Sequence, residues 1–504
     1  PPPPFFNDTA TTEIYTNTES SAASDVYKRQ APGGNAMLKD FVASITHNVI
    51  SLIGTALAVA SLVLMACLFA MEQFGFEGGP YIGILTYLIL PMFFVLGLLL
   101  IPVGALLHRR KLRRQHGDEA IEAMPVFDLN RPATQRWVLV FVGATMLNIV
   151  ILASATFKGV HYMESTEFCG LACHTVMEPE HTAHQRSPHS RVACAECHIG
   201  PGADWFVKSK LDGAWQLVAV AFDLYPTPVP TPLHELRPAR DTCEQCHWPT
   251  KHIGDKLRVI KHYKEDEANT ELTTALVMKV GGVEGTGGTG IHWHVNPDFE
   301  IRYRSDESRE EIYEVEMTKA DGTVVTYADR KAPEDGGQWR TMDCVDCHNR
   351  PSHIYKPAHV EVDRVINEGR VDRSLPFVKR EGVRIIDQQF ESHEAAREGI
   401  IQQLQAYYAE NYPEIADEKA DAIVAAGEAM ADAYAVNVFP QMEVWWDTYP
   451  NHIGHEQSDG CTRCHNRRMR TADREQIRDD CDICHLVLAE EEENPDLITM
   501  LQSE

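Results

Sequence analysis

Twelve of the thirteen cysteines fall in six close pairs, each followed at once by a histidine, and no other feature restricts the fold of this chain as strongly. Five have the form C-x-x-C-H: Cys194/Cys197/His198, Cys243/Cys246/His247, Cys344/Cys347/His348, Cys461/Cys464/His465 and Cys481/Cys484/His485. The first in the chain, Cys169/Cys173/His174, has one extra spacer residue. Two thiols on one turn reach the two vinyl groups of a porphyrin, and the adjoining imidazole then meets the iron. Zinc held by two such pairs is the main rival, and disulfides are another. A histidine after every pair, with no orphan cysteine among them, favours covalently attached haem c and its iron, six in all. The wider spacer of the first motif calls for a looser loop to reach both vinyl carbons.

A six-coordinate iron needs a second axial ligand. Histidines outside the motifs exceed that demand: His181, His184, His189, His234, His252, His262, His292, His294, His353, His359, His393, His452 and His455. The preferred distal ligands are His184 and His189 in HQRSPHSRVAC, His292 and His294 in the Gly-rich GTGIHWH, and His452 and His455 ahead of the fifth motif, with His353 as a further candidate. Each has a surface histidine as its bland alternative.

At 504 residues the chain exceeds what one core usually holds, so several domains are expected. A net charge of -27 argues against nucleic acid, which needs clustered Lys and Arg, and points to proteins or quinones as partners. Residues 1–36 begin with four prolines, have no hydrophobic periodicity, and read as a non-native or disordered leader.

Val49 to Met71, Tyr81 to Leu107 and Trp137 to Phe157 are apolar runs long enough to cross a hydrocarbon core, which predicts a three-helix transmembrane anchor over 37–160. HRRKLRR follows the second run, whereas EQFGFEGG between the first two is acidic. The positive-inside rule therefore puts Arg109 to Arg114 in the cytoplasm and everything after about Lys158 in the periplasm of a bacterial inner membrane. That compartment is where haem is attached covalently, so orientation and motifs agree. No histidine lies within a span, which leaves no pair for a buried haem b, and Cys67 reads as a packing residue.

From Phe168 to Lys210 the stretches FCGLACHTVM, HQRSPHSRVACAECHIGPG and WFVKSK resemble the NapC/NirT family of membrane-anchored c-type quinol dehydrogenases. The resemblance implies that a membrane helix leads directly into the first haem, beside a quinol site. It also implies that Met177, three residues past His174, can serve as an iron ligand, with ordinary packing as the alternative. A thioether ligand would raise the potential relative to two imidazoles. The family's quinol pocket uses a Lys and an acidic residue, for which the chain offers Lys208, Lys210 and Asp212: a carboxylate to accept a proton and a cation to hold a quinone oxygen. A solvated helix face is the other reading of these three. Three spans, six motifs and the wider first spacer depart from the smallest members and leave the electron acceptor open.

The fold expected is a membrane-anchored multihaem cytochrome: three transmembrane helices, then a mostly α/loop periplasmic haem region with a small β insertion. Haems 1–3 fall in 161–260, the insertion in 261–340 and haems 4–6 in 341–504. EIRYR, YEVEM and TVVTYA read as strands with a turn at Asp321 and Gly322, and Glu391 to Tyr408 and Pro413 to Val436 as helices. The acidic run Glu490 to Glu493 reads as frayed, or as a docking patch for a basic partner. The expected function is electron transfer from membrane quinol, menaquinol or ubiquinol, to a periplasmic or outer-membrane redox protein such as a small multihaem cytochrome, as in anaerobic respiration. The alternatives are a terminal reductase with one open haem for nitrite or hydroxylamine, and a tethered haem sensor, whose cytoplasmic loop is too short for an output domain.

Overall fold

The computed structural model describes residues 48–73, 82, 85–116, 130, 132–200, 202–233, 236–248, 254–281, 290–296, 299–333 and 335–496. The expectations for the leader 1–36, for most of the loop between the first two spans, and for His234 and His252 lie outside these residues, as does the side chain of His174. The chain divides into two compact units, one ending at Met163 and the other starting at Glu164.

The first unit holds α1 (Val49–Gln73), α2 (Leu90–His116), entered through a π-helical turn (Leu85–Ile89), and α3 (Pro132–Met163). Each is long and apolar enough to cross a membrane, over Val49–Met71, Leu85–Gln115 and Thr134–Met163. The chain thus has the three apolar spans expected. Their outward side chains are apolar: Leu52, Leu99, Leu139 and Phe141 are all exposed, as lipid-facing residues should be. In lipid there is no hydrophobic drive between helices, so close backbone approach takes over. A Cβ on Gly97 would lie 2.7 Å from both the Ala58 nitrogen and the Gly54 oxygen, so only glycine lets α1 and α2 cross there. Ser51 Oγ donates to the Ile101 carbonyl at 2.8 Å across the same crossing.

The second unit is built around three short helices that carry motif residues and one long one, α4 (His174–Gln185), α5 (Cys194–His198), α6 (Ala203–Ala221) and α7 (Ala239–Cys243), followed by strands and a helical core. Strand β1 (Lys256–Tyr263) pairs with β2 (Glu271–Met278), and β3 (Glu300–Ser305), β4 (Ile312–Thr318), β5 (Val324–Asp329) and β6 (Gln338–Thr341) follow. The three strands read from EIRYR, YEVEM and TVVTYA are β3 to β5, antiparallel in register, with the Asp321–Gly322 turn between β4 and β5. β7 (Met469–Arg470) completes a five-stranded sheet in the order β6-β3-β4-β5-β7.

A second sheet, β1-β2-β8, was not anticipated. Its third strand, β8 (His485–Glu492), pairs Met278 with His485 and Thr273 with Glu492. The acidic run is therefore not frayed. Lys264 meets Glu493 at 3.2 Å and His262 meets Glu491 at 3.7 Å, so β2 and the flanking cations hold it in the sheet.

After α8 (Cys344–Cys347) come α9 (Ala358–Asn367), α10 (Val378–Ile386), α11 (His393–Asn411), α12 (Pro413–Glu418) and α13 (Ala420–Ala435). The two helices read from Ala- and Glu-rich spacing correspond to α11 and to α12 with α13. α9 and α10 were missed and are central: Val362, Val365, Ile385, Ile400, Leu404 and Met430 are fully buried together. Val362, Val365 and Ile366 sit at the i, i+3, i+4 spacing that puts all three on one face.

Candidate functional site

Each cysteine pair lies on a single tight turn, set by where the chain can start a helix. In the third, fourth and fifth motifs the histidine's backbone N–H closes the turn on the carbonyl of the first cysteine: His247 on Cys243 at 2.8 Å, His348 on Cys344 at 2.8 Å and His465 on Cys461 at 3.0 Å. This i, i+4 bond brings both thiols and the imidazole to one end of the turn. Asp343 caps α8 in a reciprocal box with Asp346 and also accepts the Ala239 N–H at 2.9 Å, which ties the third motif to the fourth. The first motif lies on a π-helical turn, Phe168–Ala172. A π turn holds one more residue per hydrogen-bonded ring than an α turn, so the extra spacer residue is absorbed by a regular element and not by a looser loop.

Consecutive motifs lie near one another: Cys169 near Cys194, Cys243 near Cys344, Cys197 near Cys243 and Cys246, Cys347 near Cys461, and Cys484 near Cys461. The six motifs are thus neighbours in chain order. Arg463 locks the fourth to the fifth by donating to the carbonyls of Asp346 and Arg309, each at 2.6 Å. Burial pushes the Cys347 thiol up to about 11 and the Cys464 thiol up to about 12. All thirteen cysteines are free of disulfides. Among the described residues no group of three or more His, Cys, Asp or Glu side chains gathers as a metal site.

Five motif imidazoles each face a second imidazole. Ring centroids are separated by 6.2 Å for His198 and His353, 5.9 Å for His247 and His189, 6.4 Å for His348 and His292, 5.6 Å for His465 and His294, and 6.2 Å for His485 and His455. Two imidazoles bound to opposite faces of one metal, each nitrogen about 2 Å from it, have centroids about 6 Å apart. The residues present therefore fit a haem iron held between each pair. The second imidazoles are also oriented for it. His189 Nδ1 donates to the Pro351 carbonyl at 3.1 Å, His292 Nδ1 to Val280 at 2.7 Å and His294 Nδ1 to Ile291 at 2.7 Å. A carbonyl can only accept, so Nδ1 carries the proton and Nε2 the lone pair, and in His294 that Nε2 lies 3.4 Å from His465 Nε2.

His353 is held differently. Its Nδ1 lies 2.8 Å from Glu180 Oε2 and 3.1 Å from the Glu180 carbonyl. Arg350 Nη1 is 3.6 Å from the other carboxylate oxygen, with its guanidinium 4.0 Å over the Tyr449 ring. Burial opposes ionisation of Glu180, but His353 and Arg350 outweigh it and hold the carboxyl below the usual range. Sequence reasoning missed Glu180, because nothing in its local spacing marks it as a partner of a residue 173 positions away.

The remaining candidates are placed elsewhere. His184 is buried with its ring 6.4 Å from His353, and its Nε2 donates to the Val192 carbonyl at 2.9 Å. His452 is buried against Glu310 at 2.8 Å. Neither has a motif ring across from it among the described contacts. His181 packs over the first motif, where a Cβ on Gly170 would come 2.1 Å from its ring, and His393 meets the Val438 carbonyl at 2.7 Å. Met177 is half-buried, one turn past the first motif on α4. On α6, Lys208 and Asp212 share an exposed face, while Lys210 turns away to Glu164 at 3.4 Å.

Thiol pairs with paired imidazoles, in a unit that follows three apolar spans, define a membrane-anchored multihaem c-type cytochrome. Residues 131–229 match the model of the NapC/NirT cytochrome c family, N-terminal region. The chain is 43% identical over 453 residues, 89% of each protein, to the cytochrome c-type protein ImcH of Geobacter sulfurreducens. It belongs to the NapC/NirT cytochrome c family. No solved structure matches it.

Proposed function

We propose that this cytochrome takes electrons from membrane quinol and relays them through six haems c, attached at the motifs from Cys169 to Cys484, to a periplasmic or outer-membrane redox partner. Haem c, when bound, supplies a one-electron carrier at each motif. The observation that carries the reading is the row of motifs that neighbour one another in chain order, five of them with a second imidazole about 6 Å from the first. A row of this kind serves conduction from one end to the other, and two imidazoles at each of these five motifs would close the position that a substrate would need.

The residues divide the work. The cysteines would fix each porphyrin, and His198, His247, His348, His465 and His485 would hold the irons together with His353, His189, His292, His294 and His455. His174 and Met177 remain the ligands proposed at the first motif. That motif starts six residues after the third span ends at Met163, so electrons enter beside the membrane. Quinol oxidation releases protons, and Asp212, exposed on α6, can accept one while Lys208, one turn earlier on the same face, holds the quinone oxygen. Lys210, paired with Glu164, is better suited to holding α6 than to binding quinone.

Carbon monoxide added to the reduced protein tests the reading against a terminal reductase. Closed coordination predicts an unchanged spectrum, and a carbonmonoxy band favours the reductase. Asp212→Asn should slow reduction by a quinol analogue and leave dithionite reduction intact. Unchanged quinol kinetics remove Asp212 from the site.

A further inference from the structure

Helix α6 leaves a long apolar stripe bare. Val207, Leu211, Trp215 and Phe222 are 57%, 68%, 62% and 71% exposed, and Val218 is 42% exposed. They recur at i, i+4, i+8, i+11 and i+15, the last just past the final turn, so they fall within about 80° of one another and run for about 22 Å. A protein surface in water does not leave so continuous a stripe uncovered without a partner. Along one side run Lys208, Asp212 and Gln216, all exposed, with Trp215 at that border. The opposite face packs inward through Val220.

What covers the stripe follows from where the helix is tied. Lys210 Nζ meets Glu164 Oε1 at 3.4 Å, and Lys210 also lies 4.8 Å over the Phe206 ring. Glu164 is the residue immediately after Met163, the end of the third apolar span. The salt bridge thus fastens α6 to the point where the chain leaves the bilayer. A narrow apolar stripe with a tryptophan and charged residues along its border is the pattern of a helix that lies in a membrane interface.

We propose that α6 lies in the plane of the bilayer surface, with the Val207–Phe222 stripe among the acyl chains and Lys208 and Asp212 at headgroup depth. The covering partner is phospholipid, not a second copy of the chain. The helix acts as a membrane contact additional to the spans. It also sets Lys208 and Asp212 at the depth of a quinol headgroup. This placement rests on the membrane anchoring of the chain and not on quinol being the donor, so the relay could fail and the placement still hold.

The test uses the full haem-loaded chain in nanodiscs of phosphatidylethanolamine and phosphatidylglycerol. The photo-crosslinker p-benzoylphenylalanine replaces Leu211 in one preparation and Val324, 54% exposed on β5, in another. Irradiation should add the mass of a phospholipid at Leu211 and none at Val324, with the haem spectrum unchanged in both. An adduct at Leu211 to haem, to a second chain or to another segment of the same chain overturns the proposal, as does lipid capture of equal yield at Val324. If the Leu211 preparation does not accumulate, Phe222 at the far end of the stripe takes the crosslinker, with the same outcomes deciding.

Discussion

Replacing Glu180 with Gln should raise the midpoint potential of one haem and leave the others in place. The Glu180 carboxylate lies 2.8 Å from His353 Nδ1, and the midpoint between the His353 and His198 rings is about half of their 6.2 Å separation further on. The charge is then about 7 Å from an iron held between the two rings, and at an effective dielectric constant near 20 its interaction with one unit of charge is roughly 2 kcal/mol. For a one-electron couple that is roughly 100 mV. Removing the anion destabilises the ferric form, so the shift is upward, and Arg350, left without its carboxylate, pushes the same way. The glutamine side chain is nearly the same size and can still accept from His353, which keeps the packing. A spectroelectrochemical titration resolves the components, and the low-spin ferric EPR signal of the affected haem should change with it. If every component stays within about 20 mV of its original position, or the moving one goes down, Glu180 does not tune that ligand.

Other outcomes follow from the same geometry. His294→Ala should open one iron and give the reduced protein a carbonmonoxy band that the parent lacks, with the attached haem count unchanged, because His465 and its two cysteines remain. Leu404, fully buried on α11, should cost about 3 kcal/mol when cut to alanine, read as a lower thermal unfolding midpoint with the haem spectrum intact. Gly170→Ala forces a Cβ to within 2.1 Å of the His181 ring and should destabilise the first motif by about 1–3 kcal/mol. The double variant with His181→Ala should recover most of that loss in the same melting assay.

How much was legible in the sequence depended on whether a feature is local. The spans and the thiol pairs are set by composition and spacing over a few residues, and each appears where the sequence puts it. The strands β3 and β4 carry alternating stretches in EIRYR and YEVEM, and an Asp-Gly turn joins β4 to β5. By contrast, α9 and α10 are 10 and 9 residues long and bury charge: Glu361 and Lys379 are both inside. Glu361 is met by Arg364 at 2.6 Å and Arg186 at 3.4 Å, and Lys379 by Asp363 at 2.6 Å. Charges paired in this way interrupt the apolar pattern that would have announced a helix. β8 was hidden for a similar reason, since a run of glutamates reads as solvated until cations from β1 and its turn are seen beside it.

The imidazole pairs were the least legible part, because they join residues far apart in the chain: His353 sits 155 positions from His198, the ring that it faces. The extra residue in the first motif was visible, but its accommodation by a π turn was not, because that turn gives way to α4 only through the non-helical Cys173.

The claim on which the rest depends is that the thiol pairs carry haem bonded to the polypeptide. Intact mass spectrometry of the denatured, acid-acetone-washed protein measures this directly. The account predicts a mass above that of the polypeptide by six haems, and a bare polypeptide mass, or fewer than six additions, contradicts it.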